Sequence, residues 1–251
     1  MATPMASSMP TAQSVTPSSI QSSTKAAGFA VDASFVRPLR TRVKICGMTR
    51  IEDVDAAVQY GVDALGFVFV PASKRNLVPE AAQALFDRVP PFVQSVALFL
   101  DADESLVQTV ISKLSPDLLQ FHGRETGAYC RQFGRPYIKA LGTDLFVDPS
   151  SGLLSDLLAD HATARGFLLD SHATGALGGT GSRFDWQHWP QGHYSSVPFI
   201  LAGGLDATNV SEAIQRLQPY AIDVSSGVET APGVKSALKI QEFMNKVNPI
   251  G

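Results

Sequence analysis

The sequence is poor in cysteine, in long hydrophobic runs and in surplus charge of either sign. Only Cys46 and Cys130 occur among 251 residues, so nothing suggests a disulfide framework, and a reducing compartment is the simpler setting. No stretch approaches the ~18 consecutive apolar residues of a membrane span, which argues against a membrane partner. Lys and Arg number 20 against 23 Asp and Glu, a formal net charge of −3, and a nucleic-acid groove would need a basic face. Metal ligands are thin as well: His122 has no second histidine or acid at ligand spacing, so no metal is expected. What is present is ordinary globular composition, 45% hydrophobic and 17% charged, at a length that suits one large domain.

Residues 1–40 stand apart. They are rich in Ser, Thr, Pro and Ala, lack hydrophobic periodicity, and hold one acid, Asp32, against Lys25, Arg37 and Arg40. Such a segment buries too little apolar surface to offset ordering and reads as a disordered extension. Being Ser-rich and acid-poor, it has a transit peptide as its alternative reading. No arginine precedes Arg37 and no amphipathic helix is visible, so a cytoplasmic location is expected, with an organellar one as the alternative.

From residue 41 to 251 short apolar runs alternate with helical patterns. Val43-Lys44-Ile45-Cys46 stops at Gly47, and Thr49 with Glu52 reads as a capping box opening a helix that puts Ile51, Val54, Ala57 and Val58 on one stripe. Further strands are expected at 63–69, 93–100, 118–121, 137–141, 166–169, 197–202 and 221–224, with helices opened by Pro79 and Asp206 among those between. The sixth unit is the weakest, since the segment from Asp185 to His193 is too short and polar for a full helix. Continuous apolar strands at βα spacing fit a parallel sheet covered on both faces. Eight of them can close and so abolish both edges, giving a single-domain (β/α)8 TIM barrel, with an open doubly wound sheet as the alternative.

In either architecture chemistry belongs at the C-terminal ends of strands. Cys46 ends the first, though a lone cysteine also reads as a small buried hydrophobe. Asp170 ends the sixth, as a helix cap or turn residue, or as a carboxylic acid kept protonated by a partly apolar site. Arg75, in the loop after strand two, reads as a solvated charge or as a bidentate clamp for a carboxylate. His122 reads as a hydrogen-bonded strand-end histidine, and Cys130 as structural. Three Gly-rich junctions follow strands six to eight: Gly178-Gly179-Thr180-Gly181, Gly203-Gly204, and Ser225-Ser226-Gly227. Glycines let backbone N–H groups approach an anion, and in barrels the last two junctions are the usual phosphate site.

These pieces together resemble the phosphoribosylanthranilate isomerase family of tryptophan biosynthesis. The resemblance is carried in order by Lys44-Ile45-Cys46-Gly47, Gly66-Phe67-Val68-Phe69 with Ser73 and Arg75, and Leu119-Gln120-Phe121-His122-Gly123. It continues through Leu169-Asp170, Gly178 to Gly181 with Phe184-Asp185-Trp186, Leu201 to Leu205, Asp223 to Glu229 and Pro232 to Lys235. It implies a (β/α)8 barrel and an Amadori rearrangement of N-(5-phosphoribosyl)anthranilate to 1-(2-carboxyphenylamino)-1-deoxyribulose 5-phosphate, an aldose–ketose type isomerisation needing no cofactor. By motif, Cys46 would be the general base and Asp170 the general acid. Arg75 would hold the anthranilate carboxylate, with His122 and Asp223 also in the substrate site. Gly203, Gly204, Ser225, Ser226 and Gly227 would hold the phosphate. The implied partner is therefore a phosphorylated sugar–anthranilate molecule, bound by a monomer, with a dimer as the alternative. Ser182-Arg183 and Ser236 depart from the family pattern, the latter at a helix cap.

Rival phosphosugar barrels need metal-ligating histidines and acids at strand ends, or lysine and glutamate as the catalytic pair, and a non-catalytic sugar-phosphate-binding barrel has no use for Cys46 and Asp170. A free thiol titrates at ~8.5 and an aspartate at ~3.9, so the site must move both toward neutrality. Lys44 is the nearest candidate for acting on the thiol, yet two residues back along the strand it need not reach the rim.

Overall fold

The structure, a computed structural model, describes Met1 and residues 40–146, 151–171, 186–189 and 197–248. The Ser/Thr/Pro-rich extension up to residue 39 lies outside the described residues, as do Gly178 to Gly181, Ser182-Arg183 and Phe184-Asp185. Eight parallel strands close into a barrel: β1 (Arg42–Cys46), β2 (Ala64–Val68), β3 (Gln94–Phe99), β4 (Leu118–Phe121), β5 (Tyr137–Leu141), β6 (Gly166–Leu169), β7 (Phe199–Leu201) and β8 (Ala221–Val224). Closure is made by β1 against β8, with Lys44 opposite Asp223. The helices are α1 (Ile51–Gln59), α2 (Pro79–Phe86), α3 (Glu104–Leu114), α4 (Gly127–Arg131), α5 (Leu153–Asp160), α6 (Val210–Leu217) and α7 (Ala237–Val247). In the sixth unit the described residues Trp186–His188 form a single 3-10 turn, as the polar composition of that segment requires. Among the described residues no helix is long and apolar enough to cross a membrane.

Alternation along each strand divides the core. Val43, Ile45, Leu65, Phe67, Leu119, Phe121 and Ile222 face outward and meet the helices in one large cluster. Inside the barrel, Ile138, Ala140, Leu168, Ile200, Ala202 and Ala221 form an apolar plug on the β5–β8 side. A second interior cluster joins Cys46 to Val68, Val70 and Leu98 on the β1–β3 side. Between the two lie buried polar side chains, Lys44, Gln120 and Asp223.

Three local expectations are corrected. Thr49 does not cap α1: its hydroxyl donates to the Gly233 carbonyl, and the N-cap is Arg50, in extended conformation with no side-chain capping bond. Ile51 is exposed, and Asp53 is buried instead, accepting from Arg50 and from the Lys235 N–H at 3.1 Å. A long-range contact has thus taken the side chain that a local cap would use. Helix α6 starts at Val210 rather than Asp206, because Asp206 to Asn209 form a side-chain-bonded turn. Asp206 Oδ1 accepts from the Thr208 N–H, and Asn209 Nδ2 reaches back to the Gly204 carbonyl at 2.8 Å. Finally, the segment after β8 folds into an unforeseen hairpin, β9 (Glu229–Ala231) with β10 (Val234–Lys235), turning at Gly233 with φ +81°. Ser236 caps α7 by accepting from the Lys239 N–H.

Candidate active site

Gly47 and Gly66 explain why the first motif is built as it is. Gly47 has φ +83°, and a Cβ there would lie 2.3 Å from Arg75 Cδ, so the arginine stem crosses bare backbone. A Cβ at Gly66, on the neighbouring strand, would lie 2.7 Å from Cys46 Sγ. These two absences of side chain let the Arg75 guanidinium and the Cys46 thiol occupy the C-terminal rim together.

Cys46 is 7% exposed. Burial pushes its thiol up, with Asp223 adding to the effect, while Lys44 and Lys235 pull the other way. Lys44 does reach the rim. Its ammonium is bonded to both Asp223 carboxylate oxygens at 2.9 Å and faces the Cys46 sulfur. Burial alone would lower Lys44, but Asp223 and Cys46 outweigh it and hold the ammonium above its usual range. The lysine is therefore a fixed positive charge beneath the thiol, anchored from β8.

A second ionic knot sits above the first. Glu229, on β9, accepts from Arg75 Nε at 2.8 Å and Nη2 at 2.7 Å, and from Lys235 Nζ at 2.7 Å. Burial would raise Glu229, but the two cations prevail and hold its carboxyl below the usual range. Lys235 also donates to the Cys46 carbonyl at 2.5 Å and the Ser225 carbonyl at 3.2 Å, so one ammonium ties the end of β1 to the loop after β8. Ser225 Oγ donates to the same Cys46 carbonyl at 3.0 Å.

Across the barrel, Asp170 follows β6 and is 7% exposed. His122 Nε2 lies 3.3 Å from its Oδ2, Ser171 Oγ lies 3.2 Å from its Oδ1, and Gln120 Nε2 lies 3.2 Å from His122 Nδ1. The loops after β7 and β8 touch one another. Gly203 and Gly204 have φ +88° and +64°, and a Cβ on Gly227 would fall 1.9 Å from the Leu205 carbonyl oxygen.

One cavity of about 760 Å³, counted with the solvent at its mouth, gathers these groups. Its wall on the β2–β3 side is apolar (Val68, Val70, Leu98, Leu100) and ends at Arg75; its wall on the β7–β8 side is Gly203, Gly204, Ser225 and Ser226; Cys46, Gln120, His122, Asp170 and Asp223 lie between. Of the ten residues that the family resemblance placed in the catalytic, carboxylate and phosphate roles or in the substrate site, Gly227 alone does not line it, and packs behind the loop against Leu205. Asp223 lines it with a carboxylate already bound to Lys44. Sequence reasoning missed Glu229, Lys235 and Gln120, although all three stand inside motifs that had drawn attention. Among the described residues no three His, Cys, Asp or Glu side chains converge as a metal-ligand set. Cys130 lies in α4 away from this cavity, fully buried, and burial pushes its thiol to about 12.

Comparison with known proteins agrees with this geometry. Residues 43–246 match the family model described as N-(5'phosphoribosyl)anthranilate (PRA) isomerase. The N-(5'-phosphoribosyl)anthranilate isomerase of Thiobacillus denitrificans is 49% identical over 208 residues, 83% of this chain and 98% of that protein. The crystal structure of phosphoribosyl anthranilate isomerase from Thermotoga maritima superposes with a TM-score of 0.72 at 36% identity, covering 82% of this chain and 98% of that one. Another, a complex with reduced 1-(o-carboxyphenylamino)-1-deoxyribulose 5-phosphate, does so with a TM-score of 0.66 at 33% identity, over 82% and 98% of the two chains. The chain belongs to the N-(5'-phosphoribosyl)anthranilate isomerase family, the isomerases of tryptophan biosynthesis.

Proposed function

We propose that this isomerase carries out the Amadori rearrangement of N-(5-phosphoribosyl)anthranilate with Cys46 as general base and Asp170 as general acid. The observation that carries the reading is that thiol and carboxyl line one cavity between two unlike walls. The apolar β2–β3 wall with Arg75 suits an aromatic ring bearing a carboxylate, and the Gly/Ser wall after β7 and β8 suits a phosphate. A sugar spanning them lies over Cys46 and Asp170. Arg75 meets the carboxylate with a guanidinium whose Nε and Nη2 are fixed by Glu229, which orients the rest of the fork.

The steps follow from the residue types. Asp170 gives its proton to the ring oxygen as the C1–O bond breaks, and the anilinic nitrogen lone pair forms the C1=N bond. The Cys46 thiolate removes the C2 proton, and the C2–H electrons become the C1=C2 bond of a neutral enolamine. Protonation at C1 and loss of the O2 proton give the ketone, and a proton passing from Cys46 to Asp170 restores both groups. Holding phosphate and carboxylate at the two ends supplies binding energy remote from the reacting carbons, which orients C1 and C2.

The test is a fluorescence assay of phosphoribosylanthranilate disappearance, run with a chelator present. Asp170→Asn is expected to lower kcat by ~10²–10⁴-fold with product-analogue binding nearly intact. Near-wild-type turnover in that variant would remove Asp170 from the acid role.

A further inference from the structure

Gln120 stands within β4, 0% exposed, on the wall of the catalytic cavity. Its Nε2 is 3.2 Å from His122 Nδ1, while its carbonyl oxygen Oε1 is buried with no hydrogen-bond partner among the described residues. Methionine would fill the same space with no polar group to satisfy. Packing therefore does not account for an amide at this position.

Donor and acceptor directions say what the amide does. With its NH2 turned toward the ring the Gln120 amide can only donate, and this pairing calls for a His122 Nδ1 that accepts and carries no proton. A neutral ring then carries its proton on Nε2, 3.3 Å from Asp170 Oδ2. A proton on Nδ1 as well would turn His122 into an imidazolium, and its natural counter-ion at that distance is an ionised Asp170, which has no proton to give.

We propose that Gln120 is the positioning residue of the acid: by bonding Nδ1 it holds His122 as the neutral Nε2–H tautomer and so keeps Asp170 able to carry its proton. The inference rests on the reading of Asp170 as general acid. Among the described residues, the charged and titratable groups that share the cavity with the His122–Asp170 pair are Asp223 from β8, Cys46 from β1 and Arg75 from the loop after β2, with Lys44 of β1 bonded to Asp223. Asp223 interacts electrostatically with both members of the pair. Gln120 decides between them in favour of the carboxyl.

Two variants of the full chain test this, alongside nitrogen-15 spectra of histidine-labelled protein in which His122 is assigned by its deletion. Wild-type His122 is expected as the neutral Nε2–H form. Gln120→Met is expected to lower kcat at least ~10-fold with KM within about twofold, while the melting temperature stays level. Gln120→Glu places an acceptor at Nδ1, so His122 is expected as imidazolium at neutral pH and kcat falls further. A wild-type Nδ1–H tautomer, a wild-type kcat in Gln120→Met, or a loss of kcat there that tracks a fall in melting temperature would each overturn the proposal. Should Gln120→Glu not fold, the wild-type tautomer and Gln120→Met decide it. An active Asp170→Asn enzyme would instead defeat the acid assignment itself, whatever the Gln120 variants do.

Discussion

At Cys46 two opposing effects meet. Burial beside Val68, Val70 and Leu98 favours the neutral thiol, and the ammonium groups of Lys44 and Lys235 favour the thiolate. Because burial is the larger, ionisation of the thiol depends on keeping Lys44 in place, and Asp223 does so through two bonds of 2.9 Å. The sign of a pH effect follows. Removing a neighbouring cation makes the ionised thiol less favourable, so in Lys44→Met the pH at which thiolate appears should rise. Ultraviolet thiolate absorbance during a pH titration measures it, using a Cys46→Ala background to subtract Cys130. The acid limb of kcat/KM should move up with it, and activity at neutral pH should fall. An unmoved titration would mean that Lys44 serves only as a partner for Asp223. His122, Asp170 and Cys46 were legible in the sequence because each ends an apolar run, where a polar residue has no packing reason to be. Lys44 and Gln120 were harder to read, since whether a mid-strand residue faces a helix or the barrel interior depends on the pleat and on closure by β1 and β8.

The β9–β10 hairpin shows the same contrast one level up. Its five strand residues carry no periodicity that separates them from a loop, and Glu229 and Lys235 look like ordinary surface charges until the chain folds back. In the folded chain Lys235 has no exposed side-chain surface and Glu229 pairs with two cations. The hairpin thus fastens the loops after β1, β2 and β8 to one another: Thr49 to Gly233, Arg75 to Glu229, and Lys235 to Cys46 and Ser225. Removing one member of a buried ionic group leaves the others charged and unmatched, at a cost of roughly 3–5 kcal/mol. Glu229→Ala should lose about that much stability in urea unfolding and should weaken substrate binding through a misplaced Arg75. A loss below about 1 kcal/mol would show that water replaces the carboxylate at no great cost. The misplaced start of α6 has a related cause, since Asp206 and Asn209 spend their side chains on local backbone and on Gly204 before the helix begins.

The whole molecule sorts functions around the barrel mouth. Strands β5 to β8 contribute the apolar plug, β2 and β3 an apolar wall ending at Arg75, and the loops after β7 and β8 a glycine and serine wall. The eight-strand count was readable from alternating apolar runs because parallel strands covered on both faces have no polar alternation to blur them. The cavity was not readable in the same way, because it draws on residues from Cys46 to Ser226 that only closure of the sheet makes neighbours. The proposal that Cys46 is the base makes one thiol responsible for one proton, which a single measurement addresses: kcat of Cys46→Ala at saturating substrate, set beside its affinity for a product analogue. The expected result is a kcat lowered by ~10²–10⁴-fold with affinity within a few-fold of wild type. A Cys46→Ala enzyme that turns over at close to the wild-type rate would contradict the account.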